Sequence, residues 1–185
     1  HAAIRLVLPI LPALAAASPI LDGRPTGLCD TRLEYYRTNS RRIPSVTGRV
    51  IPEPVYSQAA YERDILQRIY ADLTPFDPEG ILRYEWANAR GAIARFDRGT
   101  IEIRVLDIQE CPAADIAVLT LIVAVLRALA EERWLALDRQ QAAPTERLAA
   151  LLRCGIQDAE RATIDDAAYL EQFGVSAKSV TAGEL

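Results

Sequence analysis

A strict alternation of apolar and charged side chains in one short stretch limits most strongly what this chain can fold into. Ile101, Ile103 and Val105 alternate with Glu102 and Arg104 in the sequence Gly-Thr-Ile-Glu-Ile-Arg-Val-Leu-Asp. Side chains point to opposite sides along an extended backbone. The pattern therefore predicts a strand with one apolar face in a core and an opposite face that carries a carboxylate and a guanidinium.

The neighbouring charges allow two interpretations of Glu102. Arg90, Arg95 and Arg98 precede the strand, and Asp107 ends it. A carboxylate amid that much positive charge stays ionised and suits a hard cation such as Mg²⁺, while arginines suit phosphate oxygens. The alternative is a solvated strand face with a surface ion pair that contributes little to stability.

Composition restricts the class of protein. The 185 residues suffice for one domain with a core, and the net charge of −4 gives no reason to expect nucleic acid or an anionic membrane as partner. The only histidine is His1, and Cys29, Cys111 and Cys154 lie far apart, without zinc-ligand spacing or a disulfide framework. A reducing cytoplasm is the simplest compartment, and chemistry must rest on carboxylates, arginines and metal.

The first segment, Ala2 to Ala17, is apolar with one charge, Arg5. Pro9 and Pro12 kink a helix here but fit a buried, bent one, so we predict a core helix. The alternative is a secretion signal, because a basic residue precedes a short apolar run and several alanines. The sequence starts with His inside an apolar run, from which we expect an incomplete chain.

Turn residues and helical spacing divide the rest of the chain. A loop rich in Gly and Pro over 18–27 offers the hydroxyls of Ser18 and Thr26, as binding loops do. The helix that begins near Pro112 is nearly all apolar from Ile116 to Leu129, which predicts burial on most sides and is short for a membrane span. The other expected elements are a helix over 53–73, a strand over 81–87, a turn over 88–91, helices over 144–153 and 163–174, and an irregular tail over 176–185.

Two segments together resemble a known family. The first is Ser-Pro-Ile-Leu-Asp-Gly-Arg-Pro-Thr-Gly over 18–27 with Arg32 beyond it, which resembles the Ser-Pro…Gly-x-x-x-Gly…Arg segment of glutamate–cysteine ligases. The second runs from Arg95 to Asp107 and resembles the Glu-x-Arg strand of the same group. Bacterial carboxylate–amine ligases show that strand as Gly-Thr-[Val/Ile]-Glu-[Val/Ile]-Arg-Val-x-Asp. The resemblance covers roughly residues 2–135.

The resemblance implies an α+β fold like that of glutamine synthetase, in which an antiparallel sheet forms a funnel-shaped site and helices pack outside. Glu102 corresponds to a carboxylate that holds Mg²⁺ between the ATP phosphates and the substrate. Arg104 corresponds to the catalytic arginine at the γ-phosphate and the transferring phosphoryl group. Arg32 corresponds to an arginine that holds the α-carboxylate of the amino-acid substrate, in the segment that also carries Ser18 and Thr26. The less securely matched phosphate-side arginines are Arg95, Arg98 and Arg90.

The implied activity is an ATP- and Mg²⁺-dependent ligation through an acyl phosphate. A glutamate-like amino acid would supply the carboxylate, and an amine such as cysteine would accept it. No nucleic acid or membrane is expected as a partner, and a homo-oligomer is left open.

The sequence departs from the family in one large respect. The family's other metal carboxylates, in a Glu-x-Glu strand, and its metal-binding histidine lie upstream of any segment present. We therefore expect residues 1–138 to be the C-terminal half of a catalytic domain that an upstream half of the same protein completes. Residues 139–175 are expected as a helical cap or extension and 176–185 as a frayed tail. The alternative is a non-catalytic binding or subunit-interaction module that keeps the fold.

Overall fold

Helices form most of the structure, which is a computed structural model that describes residues 1–185. The α-helices are α1 (Ala2–Val7), α2 (Leu11–Ala15), α3 (Thr31–Thr38), α4 (Gln58–Tyr61), α5 (Gln67–Leu73), α6 (Pro112–Ala130), α7 (Leu137–Gln141), α8 (Thr145–Asp158) and α9 (Ala167–Leu170). A π-helical segment over Glu62–Leu66 joins α4 and α5 into one continuous helix.

The strands form three separate two-stranded antiparallel sheets. Strand β1 (Ile20–Leu21) pairs with β2 (Arg24–Pro25), β3 (Ala92–Arg95) with β4 (Thr100–Ile103), and β5 (Thr163–Ile164) with β6 (Val180–Thr181). In the β3–β4 hairpin, Ala92 lies opposite Ile103 and Arg95 lies opposite Thr100. The predicted α+β class is confirmed, and the sheet that carries Glu102 has only two strands.

The first segment is a bent core helix, as predicted. A 3₁₀ turn over Leu8–Ile10 separates α1 from α2. Pro9 and Pro12 lack the backbone N–H that a regular helix needs, and both are buried. Leu6 and Leu11 are fully buried, so the apolar run of the sequence serves the core.

The one charge of this segment, Arg5, is fully buried and ties distant parts of the chain together. Its guanidinium donates to the carbonyl oxygens of Pro52 (2.8 Å) and Ala143 (3.1 Å), and to the hydroxyls of Tyr56 (2.8 Å) and Thr145 (2.9 Å). Burial lowers the pKa of Arg5. A buried cation is tolerated here because each donating nitrogen has an oxygen partner.

One main hydrophobic core draws residues from almost the whole length of the chain. It joins Leu6 of α1 and Leu33 of α3 to Val105, which follows β4. It also includes Leu129 of α6 and Leu152 of α8. The residues after 139 therefore pack into the same core as the first segment.

The β3–β4 hairpin confirms the alternation that the sequence predicts. Ile101 and Ile103 are half-buried and pack against the main core, and Val105 is fully buried. Glu102 points to the opposite, open side. The strand pairing ends at Ile103, although the N–H of Arg104 still donates to the Gly91 carbonyl oxygen at 2.8 Å.

The prediction that α6 is buried on most sides is wrong. Only Ile122, Ala128 and Leu129 are buried among its 19 residues, and Ile116 is 60% exposed. An all-apolar helix normally has neighbours on every side, but here the core covers one side of it. By length and composition alone, α6 is long enough to cross a membrane, which the expected shorter run did not indicate.

The strand predicted over 81–87 is also wrong. The segment forms turns and a 3₁₀ helix over Glu85–Ala87. Tyr84 and Trp86 are exposed, and the segment pairs with no strand, although its 3₁₀ helix lies against β3. Aromatic residues favour a strand through packing against neighbours, so they do not form one without a partner.

Side-chain caps set several helix starts that spacing alone placed wrongly. The side chains of Asp30, Ser57 and Asp166 each accept a backbone N–H three residues later, at the starts of α3, α4 and α9. The predicted starts at 53 and 163 are therefore too early, and α3 was not predicted. A cap satisfies a helix N–H that has no intrahelical partner.

The end of the chain is more ordered than the expected frayed tail. Val180 and Thr181 form β6 on β5, and Val180 packs against the main core. Helix α8 also runs beyond its predicted end at residue 153 and continues through Gly155 to Asp158. A Cβ at Gly155 would lie 3.0 Å from the Pro9 carbonyl oxygen. Glycine therefore lets α8 pack closely against the first segment and does not end the helix.

Gly91, which leads into β3, has no room for a side chain. A Cβ would lie 2.7 Å from a Val105 methyl and 2.9 Å from a Val50 methyl. We expect Gly91→Ala to lower the free energy of unfolding by about 1–3 kcal/mol through overpacking, as measured by urea denaturation. When Val105 is also replaced by Ala, Gly91→Ala should lower the free energy of unfolding clearly less than it does alone, because the methyl that it meets is gone. Additive effects of the two substitutions would contradict the proposed clash.

Candidate functional site

The open face of the β3–β4 hairpin carries an ion-pair group around Glu102. Its carboxylate accepts from Arg104 Nε at 2.9 Å and from Arg95 Nη1 at 3.4 Å. The hydrogen bond from Arg104, with the charges of both arginines, holds the pKa of Glu102 below its ordinary value. Glu102 is therefore ionised at neutral pH, and 43% of its side chain is exposed on this face.

Helix α3 places an aromatic side chain beside Arg104. The Tyr36 hydroxyl donates to the Arg90 carbonyl oxygen at 3.3 Å. Burial raises the pKa of the Tyr36 phenol, against the opposing influence of Arg104 and Arg32. Burial alone would lower the pKa of Arg104, but Glu102 and Tyr36 together raise it. This part of the face therefore keeps a permanent cation next to a neutral phenol.

A buried carboxylate, Asp107, holds Arg32 at the edge of the same face. Arg32 Nε donates to Asp107 Oδ1, while Ser18 Oγ (2.7 Å) and the Ala17 N–H (2.9 Å) donate to Oδ2. Arg32 Nη1 reaches the Arg104 carbonyl oxygen at 3.5 Å. The loop after α2, helix α3 and the end of the β4 segment thus meet at one carboxylate.

The pKa of Asp107 reflects this arrangement. Burial by itself would raise the pKa of Asp107, but the hydrogen bonds from Arg32, Ser18 and the Ala17 N–H outweigh it and lower the pKa. A charged carboxylate is the form that three donors favour. Asp107 is therefore an anion that fixes the orientation of the Arg32 guanidinium.

Two arginines on this face keep hydrogen-bond donors that no protein atom accepts. Arg32 Nη2 and Arg95 Nε are both buried from solvent and have no hydrogen-bond partner, although Arg95 Nε lies at ion-pair distance from Glu85 (3.7 Å) and Asp97 (3.6 Å). Buried donors nearly always have a partner, and a ligand is one way to supply it. Guanidinium groups pair with carboxylate and phosphate oxygens. The arrangement is suited to bind an anion between Arg32 and the hairpin.

The structure brings together most of the predicted site residues. Ser18, Arg32, Arg95, Glu102 and Arg104 lie along one continuous set of contacts. Their binding and catalytic roles stay predictions.

Arg90 lies apart from this group because its donors are already used. It is fully buried, and it donates to both carboxylate oxygens of Glu53 at 2.5 and 2.7 Å. Its Nη1 donates to the Ser45 carbonyl oxygen and to Asn88 Oδ1. These bonds leave little of the Arg90 guanidinium for the predicted phosphate contact.

Thr26 and Arg98 also lie apart from the face. The Thr26 hydroxyl lies 2.6 Å from that of Thr31 and supports the loop before α3. Arg98 is exposed in the β3–β4 turn, where it pairs with Asp97 at 3.4 Å. A turn residue faces solvent unless another chain segment covers it, and none does here.

Sequence reasoning missed Tyr36 and Asp107 as members of the site. Asp107 was noted only as the end of the strand. Tyr36 is four residues after Arg32, so the two share one face of a helix. A prediction of α3 from its cap, Asp30, would have placed Tyr36 beside Arg32.

The residues of this chain do not form a complete Mg²⁺ site. No group of three or more His, Cys, Asp or Glu side chains is placed to hold a metal ion. Glu102 is the one carboxylate on the open face near Arg104, and both of its oxygens are paired with arginines. Asp107 is committed to three donors. Any divalent ion here needs ligands in addition to those of residues 1–185.

The fold and the site together define an α+β protein that gathers arginines and one carboxylate on an open hairpin face. The sequence model of glutamate-cysteine ligase family 2 matches residues 1–181, and the chain belongs to that family. An uncharacterized protein of Archaeoglobus fulgidus is 44% identical over 132 residues. The match covers 71% of this chain and 35% of the relative's length. No solved structure matches this chain.

The lowered pKa of Asp107 predicts a pH-dependent contribution to stability. The charged carboxylate stabilises the fold above its unfolded pKa of about 3.9, and that contribution is lost as the pH falls through the lower folded pKa. We expect Asp107→Asn to lower the free energy of unfolding by about 2–3 kcal/mol at pH 7, because it weakens charge-assisted hydrogen bonds. The deficit should shrink below about pH 4. Urea denaturation at pH 7 and pH 3 measures it.

Asp97→Asn is the matched control, because Asp97 is exposed and pairs only with neighbouring arginines. It should change stability by less than about 1 kcal/mol at either pH. A deficit for Asp107→Asn that is equally large at pH 3 and pH 7 would show that the charge of Asp107 does not stabilise the fold.

Proposed function

We propose that this chain is part of an ATP- and Mg²⁺-dependent carboxylate–amine ligase, most specifically one that joins glutamate to cysteine. The observation that carries the proposal comes from a chain of glutamate-cysteine ligase family 2. Arg95 and Arg104 pair with Glu102, and Asp107 holds Arg32 beside the Arg104 carbonyl oxygen. Arg32 keeps a buried donor, Nη2, that has no partner in the protein.

The proposed reaction needs strong positive charge and no nucleophilic side chain. A substrate carboxylate oxygen attacks the γ-phosphorus of ATP, the bond to the bridging oxygen breaks, and ADP leaves. The amine nitrogen then attacks the acyl carbon, phosphate leaves with the bonding electron pair, and the amine loses a proton. The main difficulty is to bring two anions together, which fixed cations ease by electrostatics.

The roles of individual residues follow from their contacts. Arg32 is held by Asp107 through Nε, which leaves Nη2 for a substrate carboxylate. Arg104 and Arg95 flank the open face and would neutralise phosphoryl oxygens. Glu102 would contribute one ligand to Mg²⁺ when the metal and its other ligands are present, and the metal would balance phosphate charge.

A second candidate is a non-catalytic module that keeps the fold. One observation favours it, since no group of three or more His, Cys, Asp or Glu side chains in residues 1–185 is placed to hold a metal ion. A module of this kind would bind an anionic amino acid without consuming ATP. ADP formation by the full-length protein separates the two candidates.

Substitution of Arg32 tests the proposed contact with the substrate carboxylate. In the full-length enzyme, Arg32→Ala should raise the KM for the amino acid roughly 10- to 100-fold. This is the loss of affinity expected when a hydrogen bond between charged groups is removed. The KM for ATP should change little. Coupled measurement of ADP formation gives both constants, and Arg98→Ala is the control because Arg98 lies outside the face. Equal changes in both KM values would remove Arg32 from this role.

Substitutions of Glu102 and Arg104 test the proposed roles of these two residues in phosphoryl transfer. Glu102→Gln keeps the shape but removes the charge, and we expect kcat to fall about 10²–10³-fold. Arg104→Lys keeps the charge but loses the planar fork, so it should also lose most activity. Stability should change by less than about 1 kcal/mol in Glu102→Gln, because the pairs are partly exposed. Near-normal turnover in Glu102→Gln would assign Glu102 to a surface ion pair instead.

A further inference from the structure

A polar cavity of about 310 Å³ lies among the loop over 44–53, helix α5 and the turn that leads into β3. Its volume is at the small end of the range for ligand pockets. None of the residues that line it is hydrophobic, and three of them are the arginines Arg49, Arg68 and Arg90. The lining includes neither Arg32 nor Glu102, so the cavity is separate from the open face of the hairpin. Guanidinium groups in a polar cavity favour a small anion.

Two arginines of the cavity have hydrogen-bond donors to offer a ligand. Arg68 of α5 is exposed and forms no hydrogen bond or ion pair within the protein. Arg49 is also exposed, and its Nε donates to Glu146 at 2.7 Å, while its two Nη atoms have no protein partner. An exposed ion pair of this kind contributes little to stability, so Arg49 can turn towards a stronger partner. Both guanidinium groups are therefore suited to hold the oxygens of an anion.

Arg90 and Glu53 form a fixed charge pair in the wall of the cavity. Arg90 is buried, and four of its five N–H groups are used: Nε and one N–H of Nη2 for Glu53, and both N–H groups of Nη1 for the Ser45 carbonyl oxygen and Asn88 Oδ1. A Cβ at Gly48 would lie 3.1 Å from Arg90 Nη2, so glycine leaves room for this guanidinium. Arg90 therefore holds Glu53 in position and leaves the ligand to the other two arginines.

Glu53 is an anion that still has acceptor capacity. Burial alone would raise the pKa of Glu53, but the hydrogen bonds and charge of Arg90, together with the charge of Arg68, lower it. Each carboxylate oxygen accepts one hydrogen bond from Arg90 and keeps a further lone pair. The side chain is 37% exposed. Glu53 therefore suits a ligand that carries an O–H group, and it disfavours an anion that has none.

The hydroxyl of Ser45 lacks a partner in the protein. Ser45 lines the cavity and is 7% exposed, and its Oγ is buried without a hydrogen bond. Buried hydroxyl groups nearly always have a partner, and an unpaired one destabilises the fold. A ligand oxygen in the cavity would supply the partner that Ser45 lacks.

We propose that this cavity binds hydrogen phosphate. Arg49 and Arg68 would neutralise its charge, the Ser45 hydroxyl would donate to a phosphate oxygen, and the phosphate O–H would donate to Glu53. Sulfate and ionised carboxylates have no O–H, so their oxygens would face those of Glu53 without a proton between them. A metal ion is less suited, because the arginines of the cavity outnumber its one carboxylate. The inference does not rest on the proposed ligation, which would release phosphate on the hairpin face.

Isothermal titration calorimetry tests the proposal on the protein as its own gene encodes it, without ATP or amino acid. At about pH 8, inorganic phosphate keeps one O–H, whereas sulfate and methyl phosphate have none. Phosphate should bind at least about 10-fold more tightly than either, the difference expected for one hydrogen bond to a charged group. Equal affinities for the three anions would overturn the assignment to hydrogen phosphate. A protein that binds phosphate in this way but forms no ADP would overturn the proposed function and leave the site intact.

Substitution of Arg68 locates the bound phosphate. Arg68→Gln should weaken phosphate binding about 10-fold or more, because it removes a charged donor from the cavity. Arg153→Gln is the matched control, since Arg153 of α8 is likewise an exposed helical arginine without an ion pair, and it should leave the affinity unchanged. Phosphate binding that Arg104→Lys removes and Arg68→Gln does not change would place the ion on the hairpin face and overturn the proposal.

Ser45→Ala separates a binding role from a structural one. The variant should weaken phosphate binding roughly 3- to 10-fold, because a hydrogen bond to the ion is lost. In phosphate-free buffer its urea denaturation midpoint should stay the same or rise, because an unpaired buried hydroxyl is removed. A lower midpoint with unchanged phosphate affinity would give Ser45 a structural role and contradict the proposed contact.

Discussion

The carboxylate of Asp107 is the interaction on which the arrangement of the site depends. It is buried and accepts hydrogen bonds from Arg32, Ser18 and the Ala17 N–H. Those donors come from the loop after α2 and from helix α3, while Asp107 itself follows the site strand. A buried carboxylate without such donors would be costly. The three segments must therefore meet for the fold to form, and their meeting orients Arg32.

Electrostatics explains why the site face is suited to anions although the whole chain is acidic. The net charge is −4, yet Arg95 and Arg104 pair with the carboxylate of Glu102, and Arg32 lies beside the Arg104 carbonyl oxygen. Arg90 adds no free charge to this face, because its guanidinium is buried and paired with Glu53. Local geometry thus determines the charge of this face, and net charge describes only the molecule as a whole.

The alternation in the strand and the bent first helix were predictable from sequence because each depends on a local rule. Strand geometry places Glu102 and Arg104 on one face whatever the rest of the chain does. The prolines of the first segment permit only a bent helix. Arg90 was less predictable, because nothing in its neighbourhood in sequence indicates that Glu53 will lie beneath it.

The sequence by itself determined the apolar character of α6, the face of the hairpin and the family of the protein. Tertiary structure alone decided which arginines reach the site, that Tyr36 joins them, and that one side of α6 stays open. These outcomes depend on contacts between residues that are far apart along the chain, such as the 75 positions between Arg32 and Asp107. Local patterns specify which way a side chain faces, but only packing specifies what it meets there.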